Sequence, residues 1–127
     1  MKQVLLLRLS MVFVAFISIN QVALADNDSA ARAIAGVLVN LNHFPSDADK
    51  AVLMEVANDE SNGQGFRAIA RAVHNMQHAA SAEDKELMGR IMAADQADPR
   101  AKALAEIVAN FSHVPGDAAK ATLQGML

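Results

Sequence analysis

The chain has no cysteine, no tryptophan and no tyrosine, and only three prolines in 127 residues. Without cysteine there is no disulfide to staple a small fold, no thiolate ligand and no thiol nucleophile. All five aromatics are phenylalanine, and only Phe44, Phe66 and Phe111 lie beyond the first 25 residues. Platforms that stack bases or sugars draw on more aromatic surface than this. Basic charge is scarce as well: 11 Lys and Arg against 14 Asp and Glu, a formal net charge of −3. With no basic cluster, neither nucleic acid nor an anionic membrane surface is an expected partner. Apolar runs of the ~20 residues that a membrane-crossing helix needs are also missing.

The first 25 residues have the layout of an export signal. Lys2 and Arg8 give a positive start, Met11 to Ile19 an apolar core, and Ala23-Leu24-Ala25 a small-residue cleavage site. The expectation is a soluble, exported protein, periplasmic or secreted, whose mature domain covers residues 26–127. Stable membrane insertion after cleavage is not expected. Losing Lys2 and Arg8 leaves nine basic groups against fourteen acidic ones, a charge of −5.

What the sequence does contain is a repeat with a period of 35. Ala33-Ile-Ala-Gly-Val-Leu-Val-Asn40-Leu-Asn-His43 returns as Ala68-Ile-Ala-Arg-Ala-Val-His-Asn75-Met-Gln-His78, and again as Ala103-Leu-Ala-Glu-Ile-Val-Ala-Asn110-Phe-Ser-His113. Residues 33–53 and 103–123 agree at 10 of 21 positions. Such a period marks stacked supersecondary units, here about 28–62, 63–97 and 98–127. Within each unit Ile34, Val37, Leu38 and Leu41, and their copies, fall at helical spacing on one face. Asp28 and Asp98 suit an N-cap, with Pro99 at the first helical position; the middle helix is expected to start at Ser61 or Asn62. Pro45 and Pro115 end each first helix near His43 and His113. Ser46 with Asp49, and Ser81 with Asp84, then open a second helix, which buries Leu53, Val56 and Ala57 or their copies.

The expected fold is therefore all-α: three tandem helical hairpins, six helices, in a short right-handed solenoid or a compact bundle. The layout resembles that of tetratricopeptide and related helical repeats, without the Trp, Leu-Gly and Tyr positions of that signature, so no family follows from it. The alanines of the first helices (Ala35, Ala70, Ala105 among them) permit close helix approach. The apolar tail at Leu127 must fold back or be covered by another subunit.

The recurring Asn-x-x-His places Asn40 with His43, Asn75 with His78, and Asn110 with His113. On a helix each pair shares a face, giving a row of imidazoles open to a metal or a polar partner. A plainer reading makes each histidine a cap on its own helix C-terminus, with the asparagine amide tying the turn to the next unit. In a linear stack, copies stand at least ~9 Å apart, whereas zinc holds imidazole nitrogen at ~2.1 Å. Three in a line are not expected to share an ion. His74 and His78, at i and i+4, are the expected metal ligands, with Glu83 or Asp84 as a further donor and a divalent transition metal as the only cofactor in view. Asp47-Ala-Asp49 lacks the glycine and later ligands of a calcium loop. The methionines follow the apolar stripes and read as core. Lys50, Lys85 and Lys120 recur in the first turns of the second helices.

No nucleophile–base pair, phosphate loop or carboxylate pair appears, so an enzyme is not expected. The leading expectation is an exported module that binds a protein partner or itself. The alternative is a metal-binding or metal-responsive helical protein using His74 and His78; acid-responsive imidazoles stand third.

Overall fold

The structure, a computed structural model, describes residues 27–127; the expected export signal, residues 1–25, lies outside the described residues. The described chain is all-helical: α1 (27–39), α2 (Asp47–Asn58), α3 (Gln64–His74), α4 (Ala82–Ala93), α5 (Pro99–Asn110) and α6 (Asp117–Gln124). No helix among them is long and apolar enough to cross a membrane.

Local side-chain caps account for three of the six helix starts. The Ser46 and Ser81 hydroxyls accept the backbone N–H of Asp49 and Asp84, each at 3.1 Å. Asp98 accepts the Arg100 N–H at 2.8 Å, and Pro99 follows it inside the helix. Two starts differ from expectation. α3 begins at Gln64 behind Gly63 rather than at Ser61 or Asn62. The reason is that Asn62 is buried, with its side-chain amide donating to the Val56 carbonyl at 3.0 Å, while Asn27 Oδ1 accepts the Gly63 N–H at 2.8 Å. α1 is already helical at residue 27, so Asp28 lies within its first turn and pairs with Arg100 instead of capping.

The first helix of each unit supplies the centre. Ile34, Ala35 and Leu38 of α1 are fully buried, as are Ile69, Ala70 and Val73 of α3, and Leu104, Ala105 and Val108 of α5. An alanine at the matched place in all three lets the helices approach closely. Their N-terminal ends are held together by polar contacts: Asp28 of α1 pairs with Arg100 of α5, and the Arg100 guanidinium stands 5.9 Å over the Phe66 ring of α3. The second helices cover this centre. α2 packs on α3, and α4 on α5, so each second helix lies against the first helix of the following unit. The Nε of Arg67 and Nη2 of Arg71 in α3 donate to the Ala57 carbonyl near the end of α2, at 2.9 and 3.2 Å.

At the end of the chain the same rule returns to the beginning. Leu123 is fully buried and Met126 packs against the core, but Leu127, expected to be buried with them, lies past the end of α6 near Gly36 of α1 and stays 57% exposed. The end of the chain thus meets the first unit without covering its last apolar side chain, and adjacent helices pack as in a bundle.

The Asp98 carboxyl sits below its ordinary value of 3.8, chiefly because the Arg100 side chain donates to it, and desolvation opposes the shift only in part. A depressed carboxylate contributes stability that is whole above the ordinary value and disappears as pH falls through the lowered one. Asp98→Ala is therefore expected to cost about 1 kcal/mol at neutral pH, the usual worth of an N-cap. The gap between wild type and variant should close below pH ~4, as urea denaturation followed by circular dichroism at several pH values will show.

Candidate metal centre

The three histidines of the repeat are not on helices. α1 ends at residue 39, α3 at His74 and α5 at Asn110, each well short of its histidine at 43, 78 or 113. The physical reason lies two residues before each histidine. Leu41, Met76 and Phe111 are buried against the core, and seating them swings the chain out of the helix; at Phe111 the backbone is extended, φ −67° and ψ 134°. The asparagines end the helices locally. The Asn110 amide donates to the Glu106 carbonyl at 3.0 Å, four residues back in its own helix, and Asn40 reaches the Gly36 carbonyl at 3.5 Å. They do not tie one unit to the next. Since each histidine has left its helix, Asn and His do not share a helical face.

Each histidine then occupies the left-handed region, with φ of 68°, 68° and 65° at His43, His78 and His113, the only non-glycine residues with positive φ among those described. The Phe44 N–H donates to the Asn42 carbonyl at 2.8 Å, and the Val114 N–H to the Ser112 carbonyl at 2.7 Å. These are three-residue γ-turns about His43 and His113, and Gln77 and Ala79 pair likewise about His78. Because each histidine lies at the apex of its turn, its own N–H and C=O point outward. They find one another: His43 donates to the His113 carbonyl, His78 to that of His43, and His113 to that of His78, each at 2.6 Å. Three turns from three units form one cyclic set of backbone hydrogen bonds.

The ring has a direct effect on the side chains. The imidazole centroids stand 5.1 Å apart for His43 and His78, 5.0 Å for His43 and His113, and 5.2 Å for His78 and His113. One nitrogen from each lies within 4.8 Å of the other two. Separations of a helix spacing or more, expected for a linear stack, are replaced by mutual contact because the units close on themselves. A point central to a triangle of that side is ~2.8 Å from each corner, so rotations moving each nitrogen inward by ~0.7 Å would reach the 2.0–2.1 Å of a zinc–imidazole bond.

The residue before each histidine was not singled out by its sequence pattern. His43 Nδ1 donates to the Asn42 side-chain oxygen at 2.5 Å, and His113 Nδ1 is 3.0 Å from the Ser112 hydroxyl. With the proton of His43 held on Nδ1, its Nε2 carries the free lone pair, which is the arrangement of a metal-ligating histidine with a hydrogen-bonded outer partner. The signal was present: Asn42, Gln77 and Ser112 put a polar side chain before every copy of the histidine. His43 is half-buried, whereas His78 and His113 are exposed, so the centre is open to solvent on one side. Phe44 and Val114, following two of the histidines, are 61% and 50% exposed.

His74 and His78 do not form a helical i, i+4 pair, because α3 ends at His74 itself. His74 Nδ1 is 3.1 Å from the Asn75 side-chain oxygen, and His78 belongs to the triad. Both border one concavity between the first and second units, together with Phe44 and Lys50. Glu83 and Asp84 lie in the first turn of α4 and are not part of the triad. Asp47 and Asp49 occupy the first turn of α2 behind the Ser46 cap.

Positive φ costs a β-carbon-bearing residue energy that glycine avoids. His78→Gly should accordingly stay within about 1 kcal/mol of wild-type stability, relief of strain offsetting the added freedom of the unfolded chain. His78→Val, branched at the same position, should lose about 1–3 kcal/mol. Urea denaturation of the two variants measures the contrast. No family model, curated protein or solved structure matches this chain.

Proposed function

We propose that this is an exported metal-binding protein, with one divalent transition-metal ion held by His43, His78 and His113. The observation that carries the reading is the convergence of three imidazoles, from three units, at the only non-glycine positions of positive φ in the described chain. Strained backbone at one residue type, repeated three times, is what a side-chain requirement produces. The donor set supports the metal class, since imidazole nitrogens suit zinc, copper and nickel more than calcium or magnesium. Three protein ligands leave a fourth position for water or another ligand. We read the role as binding or buffering rather than catalysis. Export to the periplasm or beyond rests on the residues of the 1–25 segment.

Calorimetric titration of the purified protein with zinc, copper and nickel tests the proposal. One ion per chain is expected, with binding weakened by acid as protons compete for the imidazoles. At free metal of 100 times Kd the fold should gain about 2.7 kcal/mol. Replacing all three histidines with glycine should remove the binding heat, and Asn42→Ala should weaken binding about 10–100-fold through loss of the outer hydrogen bond. Absence of heat with all three metals would end the reading.

A second reading, an exported protein-interaction module, is favoured by the exposed apolar side chains beside the triad. If Phe44 and Val114 mediate self-association, light scattering should show an oligomer that Phe44→Ser with Val114→Ser reduces to monomer. A monomeric wild type would count against that form of it.

A further inference from the structure

Beside the triad lies a concavity of ≈ 450 Å³, bordered by Phe44, Lys50, His74, Asn75, Met76, Gln77 and His78. Its size falls in the ~300–1,000 Å³ range of small-molecule sites. The chemistry of its lining is one-sided. Lys50 contributes an ammonium, the side-chain amides of Asn75 and Gln77 offer N–H donors, and no carboxylate borders it, while the His74 Nδ1–H is already directed at the Asn75 side-chain oxygen. Phe44 forms an exposed apolar wall, and Met76 is buried beneath. His78 belongs both to this lining and to the triad, so the concavity and the triad adjoin.

The repeat supplies two internal comparisons. Between the second and third units the matched residues are Ala79, Lys85, Ala109, Asn110, Phe111, Ser112 and His113. Between the third and first they are Val114, Lys120, Val39, Asn40, Leu41, Asn42 and His43. The lysine, the asparagine and the triad histidine are common to all three. The aromatic wall and the extra imidazole, Phe44 and His74, occur only at the first junction. Only there does an exposed aromatic ring stand beside the lysine; Val114 at the third junction is a smaller exposed apolar side chain.

We infer that this concavity binds a small carboxylate with a compact apolar body, whose carboxylate lies toward Lys50 and completes the coordination of the triad metal. Lys50 supplies the charge that an anion needs, the Gln77 amide a further N–H, and Phe44 the face against which the apolar body packs. This inference rests on the metal reading above, and the test separates the two.

Cobalt(II) serves as the probe metal because its visible spectrum reports changes in coordination, and benzoate as the probe carboxylate. Titrating the cobalt-loaded full chain with benzoate should shift the cobalt bands to saturation, and the neutral analogue benzyl alcohol should not. Lys50→Met should weaken benzoate by about tenfold, the size of one charge-assisted hydrogen bond, without changing cobalt affinity. Lys85→Met, at the matched second junction, should leave benzoate binding unchanged. If cobalt binds and benzoate leaves its spectrum unaltered, or if Lys85→Met has the same effect as Lys50→Met, the carboxylate site is overturned and the metal centre stands. If cobalt does not bind at all, the metal reading fails and the co-ligand falls with it.

Discussion

The cyclic set of hydrogen bonds among His43, His78 and His113 is the constraint on which the rest of this molecule turns. A γ-turn at positive φ leaves both the N–H and the C=O of its apex residue facing away from the turn. Such groups need partners, because backbone polar groups left unmatched away from water are costly. In a single hairpin they would have none. With three hairpins the donors and acceptors match in turn, and the set is complete only when the third unit meets the first. Closure of the chain into a bundle and satisfaction of these turns are therefore one event.

That closure explains the distribution of the core. Once the units surround a common centre, the first helices face inward from three sides, and the matched alanines 35, 70 and 105 are buried among them. The second helices bridge each junction, as α2 does on α3 and α4 on α5. The two ends of the central helices are held by different chemistry. At one end Arg100 joins Asp28 and Asp98 and stands over Phe66; at the other the histidine backbones join each other. A polar clamp at each end fixes the register of three helices whose apolar contacts alone would tolerate sliding.

Function, on the reading proposed here, uses the same place for a second purpose. The backbone ring sets where three imidazoles stand, and the Asn42 side-chain oxygen governs which nitrogen of His43 carries the proton. The ring is held by main-chain rather than side-chain bonds, so the side chains at the apices are free to serve chemistry. Glycine would suit the backbone better at all three positions, and its absence there is the strongest sign that the imidazole itself matters.

Much of this was readable in the sequence. The period of 35, the apolar stripes and the Ser46, Ser81 and Asp98 caps are local properties, set by side-chain spacing and by hydrogen bonds between near neighbours. They led to six helices and to most of the buried residues. The ends of the first helices were not readable in the same way, because proline at 45 and 115 marks only the latest point at which a helix can stop. The earlier stop follows from burying Leu41, Met76 and Phe111, which depends on neighbours far along the chain. For that reason the i, i+4 spacing of His74 and His78 is not helical geometry, and the helix spacing of a linear stack does not apply to the repeat histidines. Repetition alone determined that three equivalent histidines exist. Whether they stand in a line or meet at one point depends on how each unit is rotated against the next, a sum of many packing contacts that no single repeat contains, and only the tertiary structure decided it.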